Sequence, residues 1–228
     1  MADYGAMLTF PDGTPFYIDG TIPLALVYKR DFSFDATNTT AMVLEPNTGL
    51  PYLYFIRFNE PYSWGYQYPG IGNSAGKHVI DVGAYYGGSV SGRLYCFGAI
   101  AQPLPSSRWG VAIWNEKGEC IITNETVTLK GLNRTGASGN QGTAKYLNET
   151  IVGRKAIAPG RTGIVVYSQN VGGNIITVLE PHATACWQDG LNTRVVAVPT
   201  TRSSQAIPVN SSTGNNYRPV YIDCNEYD

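Results

Sequence analysis

Apolar positions along the chain fall into short runs rich in Val, Ile, Tyr and Phe, broken at close intervals by Gly, Pro or Asn. Runs of this kind read as β-strands joined by turns, because β-branched and aromatic side chains suit a pleated, half-buried surface and Gly and Pro punctuate it. Ten strands are predicted: Ile22 to Lys29, Leu53 to Phe58, Val79 to Tyr86, Arg93 to Ile100, Trp109 to Trp114, Glu119 to Thr123, Gly163 to Gln169, Asn174 to Glu180, Thr193 to Val198 and Pro219 to Asp223. A helical period fits best over Thr143 to Ile157, where Ala144, Leu147 and Ile151 share a face, although Gly153 interrupts it. The pattern predicts an all-β fold.

Sliding the chain over itself by 105 residues aligns Tyr4-Gly5 with Trp109-Gly110, Gly13 with Gly118, Thr21 with Thr126 and Leu24 with Leu129, without a gap. Both copies read as a strand opened by an aromatic residue and Gly, a turn at Asp12-Gly13 or Lys117-Gly118, a return strand and a third short strand. Gly suits such turns because it tolerates positive φ. Between the copies, Pro103 and Pro105 deny the backbone two ladder donors and mark a linker. The expected organisation is therefore two consecutive β-sandwich-like domains, 1–102 and 108–228, joined by 103–107 and carrying an internal repeat. One sandwich of two sheets, crossed by the Pro segment, is the alternative.

Composition narrows the class. Charged residues are 14% of the 228, with 26 glycines and 14 prolines, so the chain is turn-rich and charge-poor. Its 43% hydrophobic content argues against global disorder. A net charge of −1 argues against a nucleic-acid coat, and no apolar run reaches the length of a membrane span. The Met1–Gly5 start has no secretory leader pattern, which together with wide cysteine spacing predicts buried thiols at Cys96, Cys120, Cys186 and Cys224.

Candidate chemistry is sparse. His78 and Asp81 lie three apart in a predicted strand and so point to opposite faces. His182 and Cys186 could pair as base and nucleophile only on a helix, which Pro181 and the strand-like surroundings oppose. Gly136 to Lys145 lacks the Gly-Lys-Ser/Thr of a phosphate-binding loop. No cofactor, metal site or enzymatic activity is expected. Two surface features carry more. Tyr62, Trp64, Tyr66 and Tyr68 alternate between Pro61 and Pro69, so in an extended segment they share one face and could form an interface or a sugar platform. Lys130, Arg134, Lys145, Arg154, Lys155 and Arg161 crowd a stretch whose one acid is Glu149, a charge cluster suited to an acidic partner.

The opening Tyr4-Gly5-Ala6-Met7-Leu8-Thr9-Phe10-Pro11-Asp12-Gly13-Thr14-Pro15-Phe16, followed by Pro23-Leu24, and its echo from Trp109 to Glu119 resemble a pattern in small tail-tip proteins of long-tailed bacteriophages. The matching stretches cover about 40 of 228 residues. The resemblance implies a virion structural protein of the tail tip or baseplate/fibre region, made in the bacterial cytoplasm. It implies docking to other tail-tip or fibre proteins and contact with a bacterial surface glycan or protein, and it supplies no catalytic motif. A homo-oligomer is expected, with trimeric symmetry the natural choice for a fibre axis. From a different class, a carbohydrate-binding β-sandwich module using the four alternating aromatics is the alternative.

Overall fold

The computed structural model describes residues 22–35, 40–44, 52–68, 78–106, 110–139, 147–200, 203–205, 211–214 and 217–228. Nearly all regular structure among them is β. In chain order the strands are β1 (Ala25–Asp35), β2 (Thr40–Leu44), β3 (Tyr52–Phe58), β4 (Ser63–Tyr68), β5 (His78–Ala84) and β6 (Ser89–Gly98). Then come β7 (Ala112–Trp114), β8 (Cys120–Thr123), β9 (Asn133–Arg134), β10 (Asn148–Val152), β11 (Lys155–Ile157) and β12 (Arg161–Val171). The last five are β13 (Asn174–Asp189), β14 (Asn192–Pro199), β15 (Ser203–Gln205), β16 (Ser211–Gly214) and β17 (Val220–Asp223), before a 3-10 turn at Cys224–Glu226. Each of the ten predicted strands overlaps one of these. The helical fit over Thr143 to Ile157 is corrected: its described part forms β10 and β11, with Gly153 at φ +84 between them. Those residues are held by pairing with β14 and β17, which outweighs the weak helical period.

The chain divides into two compact units, but not at the predicted linker. One unit combines Met1–Val27, Leu50–Tyr52 and Phe97–Leu129; the other combines Tyr28–Gly49, Leu53–Cys96 and Lys130–Asp228. Residues 103–107 thus fall within the first unit, so the units are not the consecutive stretches 1–102 and 108–228. Long-range strand pairing, which no local composition shift reports, decides this.

In the first unit β7 and β8 form the predicted hairpin, its turn closed by Gly118 N–H to Asn115 O at 2.9 Å with Gly118 at φ +76. The third short strand of that copy pairs antiparallel with Leu24 and the first residues of β1, through Leu129 N–H to Leu24 O (2.7 Å) and Leu26 N–H to Val127 O (2.8 Å). The bridge between Ala25 and Thr128 therefore sets Leu24 opposite Leu129, the two residues that the 105-residue offset equates. The rest of the first copy, up to Thr21, lies outside the described residues.

The second unit is organised around β13. At sixteen residues it is the longest strand, and it pairs with β12, β14, β15, β4 and β3 along its length. Two-residue turns fix its register at both ends: Gly172-Gly173, both with positive φ, close the hairpin to β12, and Gly190, at φ +60, opens the turn to β14. Side chains alternate across the sheet. One face of this region packs Trp64, Tyr66, Ala183, Ala185, Trp187 and Val198; the other packs Leu147, Ile151, Ile157, Cys186, Val195 and Ala197. Covering both faces explains why His182 to Trp187 is an unbroken buried run.

Candidate functional site

β4 carries three of the four alternating aromatics, and its extended form does put Trp64 and Tyr66 on one face, their rings stacked 5.7 Å apart at 11°. That face is covered. Trp64 is 2% exposed and Tyr66 7%, so the expected exposed platform is corrected. β4 pairs with β13 on one side and β5 on the other, which drives both rings into the core of their own unit. Trp64 lies opposite Gly83, and a Cβ there would sit 2.5 Å from its indole Cζ2. The missing side chain is what admits the ring. The side chain of Tyr68 lies outside the described residues.

Tyr62 behaves differently. It sits in the turn before β4 with φ +59, the one described non-glycine residue in the left-handed region, and is 40% exposed. A bulky residue held there costs about 1–2 kcal/mol, and such strain collects at functional positions. Its carbonyl accepts from Tyr85 N–H at 3.2 Å. Its ring meets Trp187 at 4.9 Å and Tyr86 edge-on at 5.3 Å, and Tyr86 in turn meets Tyr85 at 4.7 Å. Tyr85 and Tyr86 are carried by the turn that leaves β5 towards Gly87-Gly88, and Tyr86 is exposed.

These rings line a cleft of about 380 Å³, together with Asn148, Arg194 and aliphatic side chains of β14. The volume lies within the range of small-ligand sites. Register explains the Arg: Arg194 is directly opposite Trp187 on one flank and Thr150 on the other. Its guanidinium donates to Thr150 Oγ1 at 2.8 Å and to Asn148 Oδ1, both neutral acceptors. The fork is thereby oriented without losing its charge.

The basic cluster resolves into ion pairs within the chain. Lys130 contacts Glu226 at 2.7 Å, Arg154 contacts Asp228 at 3.1 Å and Lys155 contacts Asp223. Asp228 also accepts from Arg93 at 3.0 Å and from the Tyr95 hydroxyl at 2.7 Å. Burial pushes the Asp228 carboxyl up, but hydrogen bonds from Tyr95, Arg93 and Arg154 outweigh it and hold the group below the usual carboxylate range. Arg161 lies over the Tyr66 ring at 4.6 Å. Arg134 is exposed on β9, and Lys145 lies outside the described residues. The cluster is therefore corrected as an unopposed patch: acids near the chain's end neutralise three of its members.

The His182–Cys186 pair does not meet. Both point to the same face of β13 but four residues apart, a rise of about 13 Å. His182 Nδ1 is engaged with Glu180 O at 2.8 Å, and burial pushes the Cys186 thiol up, away from thiolate. All four cysteines are free and buried, as expected. Among the described residues no group of three or more His, Cys, Asp or Glu is placed to hold a metal ion, and no helix is long and apolar enough to cross a membrane. The side chain of His78 lies outside the described residues.

Comparison with known proteins supplies no relative. No family model, curated protein or solved structure matches the chain. The cleft residues are thus known only from geometry. Tyr85, Tyr86, Trp187 and Arg194 were outside the sequence-derived candidates, although the Tyr85-Tyr86-Gly87-Gly88 run held a signal: two adjacent aromatics cannot both face one core.

Proposed function

We propose that this chain is a structural and attachment protein of a bacteriophage tail tip or baseplate/fibre region, working by surface recognition rather than bond-making. The observation that carries the reading is the cleft beside β13 and β14, where exposed aromatic rings gather around a strained turn. The resemblance of the chain's opening and its echo to tail-tip proteins supplies the setting. Stiff sheets hold the turns that line the cleft, which suits recognition of a surface better than a mobile loop would. Docking on neighbouring tail subunits, in a homotrimer about the fibre axis, is the second half of the reading.

The test is localisation. Antibodies against the purified chain, used for immunogold microscopy of particles encoded by the same genome, should label the distal end of the tail. Particles that carry no label and no copy of the chain by mass spectrometry would overturn the reading. Sedimentation equilibrium of the purified chain tests the trimer, and a monomer at high concentration counts against it.

A further inference from the structure

The lining of the cleft specifies its ligand more narrowly than a generic interface would. Tyr62, Tyr85, Tyr86 and Trp187 present aromatic surface, and the three tyrosines add hydroxyl tips. Such a lining matches a ligand with apolar C–H faces and polar edges on one ring, which is the chemistry of a pyranose. Among the described side chains that line the cleft the one charged group is Arg194, and none of them is a carboxylate. Its two hydrogen-bond acceptors, Thr150 and Asn148, are neutral, so the positive charge at the cleft is not cancelled by them. A guanidinium already held in place by two side chains is suited to bidentate recognition of a carboxylate.

We infer that the cleft binds an acidic saccharide, a sugar bearing a carboxylate such as a uronic or sialic acid, with Arg194 taking the carboxylate and the exposed rings of Tyr62 and Tyr86 packing against the sugar. This rests on the reading of the cleft as a recognition surface, but not on the tail setting. Charge selects the occupant: an uncharged saccharide leaves Arg194 without a counter-charge, and a basic one is repelled. Trp187, buried at 7% exposure, backs the Tyr62 ring, while Tyr86 is 75% exposed at the cleft and held edge-on by Tyr62 and Tyr85.

The experiment is saturation-transfer NMR and calorimetric titration of the full chain with oligogalacturonate and sialyllactose, each beside its carboxyl methyl ester. Binding of at least one acid form, with the ester weaker by about tenfold or more, is expected. Arg194→Gln should weaken the acid form by a similar factor and the ester by much less, so that the acid-over-ester preference collapses, and Arg194→Lys should recover part of the loss. Tyr86→Ala, at a position too exposed to matter for folding, should weaken acid and ester alike. Equal affinity for acid and ester, or loss of neither upon Arg194→Gln, overturns the inference. So does silence towards both acids in a chain that immunogold still places at the tail tip, whereas acid binding by a chain absent from particles would overturn the tail setting and leave the inference standing.

Discussion

Gly83 leaves no room for a side chain beside Trp64, and Gly83→Ala reads this directly. The added Cβ would lie 2.5 Å from Trp64 Cζ2 and 2.8 Å from Cε2, whereas ordinary contact is 3.4–4 Å. Roughly 1 Å of overlap has to be relieved by moving one of the largest side chains in the core. Trp64 has nowhere to go, since it stacks on Tyr66 and packs among Ala183, Ala185 and Val198. Overpacking of this kind costs about 2 kcal/mol, offset by some tenths from the lower chain entropy of Ala. The decisive measurement is a double-mutant cycle with Trp64→Leu, followed by far-UV circular dichroism in urea. In the Trp64→Leu background the clashing atoms are gone, so Gly83→Ala should be neutral within about 0.5 kcal/mol, giving a coupling of at least 1 kcal/mol. The same cost in both backgrounds would refute the assignment of Gly83 as the slot for the indole.

Other expectations concern strain, charge and thiols. Tyr62→Gly removes a left-handed tyrosine and should leave stability unchanged or raised by up to about 1 kcal/mol, while weakening saccharide binding in titration; a large loss of stability would make Tyr62 a packing residue instead. The Asp228 carboxyl is held below its ordinary value, so its stabilisation is complete above the unfolded-state pKa of about 3.9 and is lost as pH falls through the lowered folded value. Asp228→Asn should therefore lower Tm at pH 6 to 7 and flatten its decline below pH ~4, and an unchanged acid limb would disprove the linkage. Burial raises the thiols of Cys96, Cys186 and Cys224, the first to about 12, so Ellman's reagent at pH 8 should titrate none of these three until the chain is unfolded.

Strand chemistry was legible in the plainer apolar runs: β3, β12 and the first half of β13 lie where Val, Ile, Leu and aromatic residues predict them, whereas residues 181–189 of β13 fall outside any predicted strand. It failed where pairing rather than side-chain pattern makes the strand. β15 and β16 are short and polar, held by backbone bonds to β13 and β12. The alternation from Tyr62 to Tyr68 correctly implied a shared face for Trp64 and Tyr66, but alternation is blind to which face is covered. The basic cluster was misjudged for a related reason: the acids that neutralise Lys130, Arg154 and Lys155 lie far along the chain, at Asp223, Glu226 and Asp228. Arg194 could be found only through register, since nothing local ties it to Trp187 or Asn148.

The two turns that bracket β13 also set where this chain can change length over evolutionary time. Insertions at Gly172-Gly173 or Gly190-Leu191 would extend exposed hairpin tips and disturb nothing beneath them. A single codon lost between Pro181 and Ala185 has the opposite character: it would turn every later side chain of the strand over, presenting Cys186 to the aromatic side and burying Trp187 against Leu147 and Ile151. Homologues that keep the cleft should therefore vary in length at those tips and never inside the strand, so that the spacing from Ala183 to Trp187 is as diagnostic of the cleft as the residues themselves.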